Sequence, residues 1–560
     1  MFHLSFRRLF VTTEARLRGL RSSVQPRAGV LNESNIFPSD SRLYASKSEF
    51  LLDAHLSAQP QISLPQTPFQ KLYEYYISLK RDAVPVPNPP YKVNEDEVFC
   101  NSEVHMPAIN VIGFDYDFTI ANYTKKLEYT VYDLAREQLI QKLKYPSVLQ
   151  DCVYDDSFPI RGLWFDTRTG FMLKLNYMNI MSFDYVFHGR KRLKKEEILK
   201  AYGGSKYISI DYRVKYMRTM ADIFSLPEIC LIADVIDFFR REEITFDPTS
   251  VHDDVTSTIR AIHKSGLLHE AIMTDLPGYL IKENSTKQTF QTFLDQGKKL
   301  FLLSNSGFEF INAGMSYIMD DKDWLRYFDV TVASAKKPEW FSCSRPFRRY
   351  DTSRNRNSWE TVSEFLPGEV YSYGNLEDFM RMKGYTPNSI LYVGDHVYSD
   401  LQLPYRKGGW RTGALIRELD AEIKVQSNPH HHRLSVKREI CEELLRLLHA
   451  SPDDYNADLE KLILLERKAL NVMLSKNFNS NWGSIFRAGP NPTTFAFQLF
   501  RYVDIYASNI SSFAKYPAHQ KFIVRRRQQL SHETRINIPR VDFPTTDEMT
   551  EESAQSSGKG

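Results

Sequence analysis

A short apolar run at residues 109–114 leads directly into two aspartates, Asp115 and Asp117. An apolar run of this length between polar residues predicts a buried β-strand. Residues two apart on an extended segment point to the same side, so the two carboxylates would lie together at the end of that strand. Carboxylates so placed repel each other unless a cation or a shared proton joins them, and Mg²⁺ is the simplest such cation. A plain turn or helix cap is the alternative interpretation of this pattern.

Three later apolar runs also end in polar residues that could contact a ligand. These are Ser304 and Asn305 after residues 298–303, Lys337 after residues 329–335, and Asp395 after residues 389–394, with Asp400 five residues further on. In parallel α/β sheets, ligands bind outside the carboxyl ends of the strands, so we expect these side chains at one edge of a sheet. Taken alone, the Ser-Asn pair also fits a helix cap, and the lysine also fits a solvated side chain.

A long insert, residues 136–287, separates the first of these runs from the second. It contains a predicted hairpin with arms at 163–165 and 171–175, followed by predicted helices at 224–239 and 253–263. The runs themselves delimit a core formed by residues 96–135 and 288–420. An insert in this position predicts an α+β cap that lies over the strand ends.

The two ends of the chain differ in composition from the core. Within residues 1–40, the first 30 residues contain six arginines and a single acid. Apolar residues recur there at nearly helical spacing. This composition predicts a mitochondrial transit peptide. The alternative, a simple basic tail, would leave the protein cytoplasmic. Residues 41–95 read as an N-terminal arm and Pro-rich linker, residues 421–535 as a helical extension, and residues 536–560 as a disordered polar tail.

Composition excludes several classes of function. The 560 residues are 42% hydrophobic with a net charge of +3, which argues against binding nucleic acid through bulk charge. The five cysteines are scattered, so we expect neither a disulfide framework nor a zinc site. Because no run of about 18 apolar residues occurs, we also expect no membrane span.

The four motifs, taken in order, resemble those of the haloacid-dehalogenase-like phosphohydrolases. The order is Asp115-x-Asp117-x-Thr119, a strand with Ser304-Asn305, Lys337, and Gly394-Asp395 with Asp400. Longer stretches, over roughly residues 95 to 530, are similar to the cytosolic purine 5′-nucleotidase family. Within it, they most resemble the 5′-nucleotidase domain-containing proteins two and three. The stretches are 114–121, 161–166, 482–489 and 497–506. The resemblance implies an α/β fold: a Rossmann-like parallel-sheet core, an inserted α+β cap and a helical C-terminal extension.

The same resemblance implies a role for each motif residue. Asp115 would be the nucleophile that forms an aspartyl-phosphate, and Asp117 the proton donor and acceptor. Mg²⁺ would be held by Asp115, the main-chain carbonyl of Asp117, and Asp395. Ser304, Asn305 and Lys337 would bind the phosphoryl group, and Asp400 would orient Lys337 or the waters on the metal. The implied activity is Mg²⁺-dependent hydrolysis of nucleoside 5′-monophosphates by a homo-oligomer.

The resemblance is weaker where the base of a nucleotide would bind. On the predicted cap helix His263 matches the family pattern, and it is the one candidate substrate contact. Thr256 stands where an arginine is expected, Arg260 where an acid is expected, and His269 where a lysine is expected. Since arginine only donates hydrogen bonds, a preference for hydroxypurines does not carry over. The alternatives are a phosphatase for another small phosphate monoester, and a weakly active interaction protein on this scaffold.

Overall fold

The computed structural model describes residues 67–86, 93–450 and 455–524, which fall into two compact units. The smaller unit comprises residues 67–73 and the described part of 441–469. Within it Arg467 Nη1 lies 3.0 Å from Glu442 Oε2, and Leu444 and Ile463 are buried. The larger unit contains every described strand and all the site residues predicted above.

The described residues contain twenty-one strands, numbered in chain order. They are β1 (Phe99–Cys100), β2 (Val104–His105), β3 (Val111–Phe114), β4 (Asn122–Tyr123), β5 (Leu163–Asp166), β6 (Phe171–Leu175), β7 (Met181–His188), β8 (Lys191–Arg192), β9 (Met217–Met220), β10 (Leu280–Ile281), β11 (Lys299–Leu303), β12 (Val330–Ala333), β13 (Phe347–Asp351), β14 (Arg356–Asn357), β15 (Val370–Tyr373), β16 (Ile390–Gly394), β17 (Arg411–Leu415), β18 (Arg487–Ala488), β19 (Asn491–Pro492), β20 (Ile505–Ala507) and β21 (Lys521–Phe522).

The described residues also contain sixteen α-helices, numbered in the same way. They are α1 (Pro68–Lys80), α2 (Lys126–Gln141), α3 (Lys195–Ala201), α4 (Ile210–Tyr216), α5 (Ser225–Arg241), α6 (Pro248–Ser265), α7 (Leu267–Thr274), α8 (Leu276–Tyr279), α9 (Ser285–Asp295), α10 (Phe308–Met319), α11 (Leu376–Lys383), α12 (Leu419–Gln426), α13 (Pro429–Ala450), α14 (Ala457–Lys476), α15 (Thr494–Tyr502) and α16 (Ser511–Ala514).

A ten-stranded sheet forms the centre of the larger unit. Its order is β1-β20-β17-β16-β3-β11-β12-β15-β13-β14, and the strands from β20 to β15 are parallel. At one edge β1 pairs antiparallel with β20, and at the other edge β13 pairs antiparallel with both β15 and β14. The predicted α/β fold with a mostly parallel sheet is confirmed, and the runs that end in the motif residues are its strands β3, β11, β12 and β16.

Apolar side chains cover both faces of this sheet, as a parallel sheet requires. Alternate residues of one strand serve opposite faces: Val111 packs in a cluster with Phe301 and Trp340, while Ile112 belongs to a second, larger cluster. All four residues of β3 are buried. The carboxyl ends of β3, β11, β12 and β16 therefore meet at one edge that the core holds rigidly.

The insert between β3 and β11 contains its own sheet and a group of helices. Strands β8-β7-β6-β5-β9 form a five-stranded antiparallel sheet, which includes the predicted hairpin, and helices α2, α5 and α6 pack against one another. Strands β4 and β10 pair where the chain enters and leaves the insert. The insert thus begins soon after residue 123, earlier than residue 136, where the sequence analysis placed its start. Helix α6 starts at Pro248 because the Asp247 side chain caps it.

The segment after β17 is helical as predicted through α12, α13 and α14, but it then returns to the sheet. Strand β20 lies between β1 and β17, and β21 pairs with β2. The predicted helical extension at 421–535 thus describes only part of this segment, because the segment also contains strands β18 to β21 and β20 joins the ten-stranded sheet.

Several predictions concern other parts of the chain. The transit peptide at 1–40, most of the arm and linker, and the tail at 536–560 lie outside the described residues. All five cysteines are described, and none forms a disulfide. Among the helices that are described, none has the length and apolar character needed to cross a membrane.

Candidate active site

Asp115 and Asp117 lie in the turn that follows β3. The Asp115 N–H donates to the Val393 carbonyl at 3.0 Å, which extends the pairing with β16 by one residue. The N–H groups of Ile120 and Ala121 then both donate to the Tyr116 carbonyl, at 3.0 and 2.9 Å. This turn closes immediately after the strand and fixes both aspartates at its carboxyl end.

The two carboxylates have different surroundings. Asp117 accepts hydrogen bonds from two hydroxyls, Tyr123 OH to Oδ1 and Ser306 Oγ to Oδ2, both at 2.6 Å. Asp115 instead faces a cation, with its Oδ1 2.9 Å from the Lys337 Nζ. A carboxyl held by neutral hydroxyls and one held by an ammonium group can take different chemical roles.

Lys337 is the central cation of the site. Its buried Nζ lies 2.7 Å from Asp400 Oδ1 and 3.0 Å from the Tyr392 hydroxyl, in addition to its contact with Asp115. Tyr392 in turn donates to the Leu303 carbonyl at 3.0 Å. Burial alone would lower the pKa of Lys337, but the charges of the two aspartates outweigh it and raise the pKa well above its usual range. The lysine is therefore held charged.

Asp395 and Asp400 follow β16 and join Asp115 in a buried acidic group. Ligand oxygens of the three residues lie within 4.8 Å of one another. Asp400 belongs to a π-helical segment, Val397–Gln402, and its Oδ1 accepts from the Ser399 hydroxyl at 3.2 Å. A Cβ on Gly394 would lie 2.4 Å from the Asp400 Cβ, so this close approach requires glycine.

The acidic group has the properties of a divalent-cation site. Burial raises the pKa of Asp115 and of Asp395 well above the usual range, and the charges of neighbouring aspartates, Asp400 first among them, raise both further. Lys337 opposes this effect at Asp115, and Arg161 opposes it at Asp395. Since carboxylate oxygens are the ligands that Mg²⁺ prefers, the residues present fit that ion.

The turn after β11 holds the turn after β12 through four hydrogen bonds. The Asn305 side chain brackets Lys337: the Lys337 N–H donates to Oδ1 at 2.6 Å, and Nδ2 donates to the Lys337 carbonyl at 2.9 Å. Two backbone bonds, from Ser334 N–H to the Ser306 carbonyl and from Ala335 N–H to the Ser304 carbonyl, are both 2.9 Å long. The Asn305 side chain thus fixes the backbone of Lys337, which the motifs predict to lie next to it at the sheet edge.

Ser304 is fully buried inside this turn. Its Oγ accepts from the Ser306 N–H at 3.1 Å. The structure therefore brings Ser304, Asn305 and Lys337 together, as the motifs predict, and places Ser306 rather than Ser304 on Asp117.

Arg161, which belongs to the insert, adds a positive charge near the acidic group. Only 1% of its side chain is exposed, and it donates two hydrogen bonds to Glu418, from Nε at 2.8 Å and from Nη2 at 2.5 Å. Burial lowers the pKa of Arg161, but Glu418, Asp395 and Asp222 together raise it. Arg161 is therefore a fixed positive charge close to the site.

His263, the predicted substrate contact, lies on helix α6. Its Nδ1 lies 2.9 Å from the Ile259 carbonyl of the same helix, and its ring contacts Phe224, which contacts Phe118 in the turn after β3. Burial lowers the pKa of the His269 imidazole, and the charge of Asp117 opposes this effect.

Four contributors to the site were not assigned a role from the sequence. Tyr123, Tyr392 and Arg161 come from a short strand, the interior of β16 and the insert, and each reaches the site only through the fold. Ser306 had a sequence signal, because it belongs to the same Ser-Asn-Ser turn as Ser304.

Comparisons with known proteins agree with this geometry. A family model described as the 5′ nucleotidase family matches residues 98–535. A 5′-nucleotidase domain-containing protein of Dictyostelium discoideum is 36% identical over 451 residues, or 80% of this chain and 76% of that protein. The 5′-nucleotidase domain-containing protein 2 of Homo sapiens is 32% identical over 448 residues, or 79% of this chain and 86% of that protein.

Solved structures that match include CbbY from Rhodobacter sphaeroides in complex with phosphate and the HAD-hydrolase YfnB from Bacillus subtilis bound to magnesium. Their sequence identities are 11% and 10%, each match covers 55% of this chain and 86% of the other, and both TM-scores are 0.21. A TM-score this low carries no conclusion about this chain. The family model and the curated relatives suffice: the chain belongs to the 5′ nucleotidase family and is a phosphoric monoester hydrolase.

Proposed function

We propose that this protein is a Mg²⁺-dependent 5′-nucleotidase that works through an aspartyl-phosphate intermediate. One observation carries the proposal: Lys337 Nζ lies 2.9 Å from Asp115 and 2.7 Å from Asp400, while Asp117 is held apart from them by two hydroxyls. A nucleophile, a charge-balancing cation and a separate proton carrier thus occupy adjacent positions at one sheet edge.

In the first step an Asp115 oxygen attacks the phosphorus atom, and the bond from phosphorus to the ester oxygen breaks. The carboxyl of Asp117 gives its proton to the departing alkoxide, which leaves as an alcohol. Lys337 stabilises the negative charge that spreads over the phosphoryl oxygens. The hydroxyls of Tyr123 and Ser306 hold Asp117 in place during this transfer.

In the second step water attacks the phosphorus of the aspartyl-phosphate. Asp117, now ionised, accepts a proton from this water, and the bond from phosphorus to the Asp115 oxygen breaks. Inorganic phosphate leaves, and both aspartates return to their starting states. Asn305 keeps Lys337 in position throughout, because it holds both backbone polar groups of that residue.

Mg²⁺ would be held by Asp115 and Asp395, with Asp400 next to them and the main-chain carbonyl of Asp117 as a further oxygen ligand. When bound it supplies positive charge that reduces the repulsion between the phosphate and these carboxylates. Arg161 adds a fixed positive charge on the cap side of Asp395.

Family membership supports a nucleoside 5′-monophosphate as the substrate. The residues at 256, 260 and 269 differ in type from the family pattern, and the Thr256 hydroxyl donates to Glu228 within the insert. The changed residue types, rather than this contact, support the second candidate, hydrolysis of another small phosphate monoester.

The test is phosphate release by the purified protein over a panel of nucleoside monophosphates and sugar phosphates, with Mg²⁺ and with EDTA. Asp115→Asn removes the nucleophile. Asp320→Asn makes the same change at a residue whose side chain is 86% exposed, and serves as the matched control. We expect turnover that requires Mg²⁺, survives in the control and disappears in Asp115→Asn.

The best substrate decides between nucleotides and other monoesters. If folded protein that binds Mg²⁺ releases no phosphate from any compound, the weakly active scaffold replaces the enzyme proposal. The homo-oligomer remains a prediction for the same preparation, and light scattering after gel filtration would give its mass.

A further inference from the structure

Exposed apolar side chains lie close together on the insert, outside the proposed catalytic site. Val214 is 73% exposed, Ile210 is 55% exposed and Tyr207 is 51% exposed. Ile210 and Val214 are four residues apart on α4, so they project from the same face of that helix. Tyr207 lines a small cavity together with Ser209 and Tyr212, which places it beside the start of α4. The three apolar side chains thus share one part of the surface.

The turn between β6 and β7 adds a fourth apolar side chain, Met178, which is also exposed. This turn is joined to the stretch before α4, because the Ile208 N–H donates to the Asn179 carbonyl at 2.9 Å. Just after the turn, Ile180 forms a β-bridge with Tyr207. Met178 therefore lies next to the residues described above, and the four apolar side chains form one surface, the insert patch (Met178, Tyr207, Ile210 and Val214).

A buried carboxylate holds α4 against the insert. Asp166 is fully buried, and its Oδ2 accepts hydrogen bonds from the Tyr202 hydroxyl at 2.6 Å and from the Tyr212 hydroxyl at 2.9 Å. Ser209 caps the helix, since its Oγ accepts from the Tyr212 N–H at 3.2 Å. Tyr212 thus anchors one face of α4 to the interior, and the opposite face, which carries part of the insert patch, stays in water.

Basic residues lie next to the insert patch. Residues 190–218 contain ten basic and three acidic side chains, a net charge of +7, whereas the whole chain carries +3. Lys206 adjoins the patch in the sequence, and Arg213 and Lys215 lie on either side of Val214. Within the part of the chain that the structure describes, none of these three cations forms an ion pair with a carboxylate. The surface around the patch therefore carries a net positive charge.

We propose that the insert patch docks the protein on a bilayer surface that contains anionic lipids. Its apolar side chains enter the boundary between head groups and acyl chains, where their surface leaves water. Lys206, Arg213 and Lys215 lie beside the anionic head groups, which attract basic residues near the membrane. Aliphatic side chains such as Ile210 and Val214 gain nothing from a phosphate backbone, so this combination fits a lipid surface better than a nucleic acid.

Docking of this kind is peripheral, since α4 has only seven residues and lies on the surface. Exposed apolar patches on a folded protein commonly mark a membrane or protein contact, and the adjoining cations select the anionic membrane. The docking proposal is independent of the reaction proposed above.

The experiment measures sedimentation of the full chain with vesicles of phosphatidylcholine alone and of phosphatidylcholine mixed with phosphatidylserine. A double variant, Ile210→Ser with Val214→Ser, removes the apolar face of α4. The matched control is Val153→Ser with Ile523→Ser, because these two residues have the same side chains and are 69% and 63% exposed elsewhere. Lys215→Gln removes one adjoining charge, and thermal unfolding checks that each variant is folded.

We expect the wild type to sediment with the anionic vesicles and to stay in solution with the neutral ones. The double variant should bind the anionic vesicles at least tenfold more weakly, and Lys215→Gln should bind them more weakly by a smaller factor. The matched control should bind as the wild type does. Added salt should weaken binding of the wild type, because ions screen exposed charges.

A wild type that does not bind anionic vesicles would overturn the proposal. Equal binding by the wild type and the double variant would overturn it as well, because the contact would then lie elsewhere, for example in the arginine-rich residues 1–40. Light scattering after gel filtration is run on both proteins. If the substitutions dissociate an oligomer and leave vesicle binding unchanged, the insert patch binds a second copy of the chain instead of lipid.

Discussion

Replacing Asn305 with alanine should damage the reaction more than the fold. The side chain makes two hydrogen bonds to the backbone of Lys337, at 2.6 and 2.9 Å, yet the residue itself is exposed. Without them the turn at 334–337 keeps only its two backbone bonds to the preceding turn. That turn also contains Ser334 and Lys336 at φ values of 49° and 67°, in the left-handed region that disfavours side chains.

The magnitude follows from the number of bonds lost. A hydrogen bond contributes about 0.5 to 1.5 kcal/mol net, so two bonds contribute about 1 to 3 kcal/mol to holding Lys337. If the whole amount is lost in the transition state, kcat falls by about 5- to 150-fold, since about 1.4 kcal/mol corresponds to a factor of ten. Without the two bonds, Ser334 and Lys336 can leave the left-handed region, which recovers part of the lost free energy. The free energy of unfolding should therefore fall by less than about 1 to 3 kcal/mol.

The assay is steady-state phosphate release on the best substrate of the panel, with thermal unfolding in parallel. Asn284→Ala is the control, because that asparagine is exposed and its side chain makes no capping hydrogen bond. A kcat for Asn305→Ala within twofold of the wild type would refute the reasoning, because Lys337 would then keep its position without the side chain.

Three further predictions follow from other parts of the chain. Burial lowers the pKa of Lys174 from 10.5 to about 7, so between pH 7.5 and 9.5 the unfolded chain binds a proton that the folded chain does not. Stability should therefore rise with pH in the wild type by about 1.4 kcal/mol per unit more than in Lys174→Met, as measured by urea unfolding; equal slopes would contradict the assignment. Gly314→Ala should lower both Tm and kcat, because its Cβ would lie 1.7 Å from the Tyr116 hydroxyl, whereas Gly307→Ala meets no atom within 4 Å and should be tolerated. Residues 1–40 fused to a fluorescent reporter should direct it to mitochondria, and a diffuse cytosolic signal would exclude the transit peptide.

The strands and the charged residues at their ends could be predicted because both signals are local. An apolar run followed at once by Asp115, Lys337 or Asp395 specifies a buried strand and a charge at its carboxyl end. Parallel pairing then brings these ends together, so the sequence order of the motifs was sufficient to assemble the carboxylates and the lysine.

The partners of these charges depend on long-range contacts that no local pattern encodes. Tyr392 lies inside an apolar run, where a tyrosine predicts only a core ring, and its hydroxyl reaches Lys337 because of the sheet order. His263 stays a predicted substrate contact, and its Nδ1 lies 2.9 Å from the Ile259 carbonyl of its own helix. Strand β20 is three residues long and directly follows an amphipathic helix, so it carries too little periodicity to be recognised.

The position of β20 also determines when the chain can complete its core during synthesis. Strand β17 pairs with β20 along one side, and β20 itself pairs with β1. Until β20 has emerged from the ribosome, β17 lacks its partner strand and presents an unpaired edge that can pair with another nascent chain. A transcript variant or proteolytic product that ends after β17 but before β20 keeps every residue of the proposed site and exposes this edge. Its fate should be decided by aggregation and chaperone capture rather than by the loss of a catalytic residue.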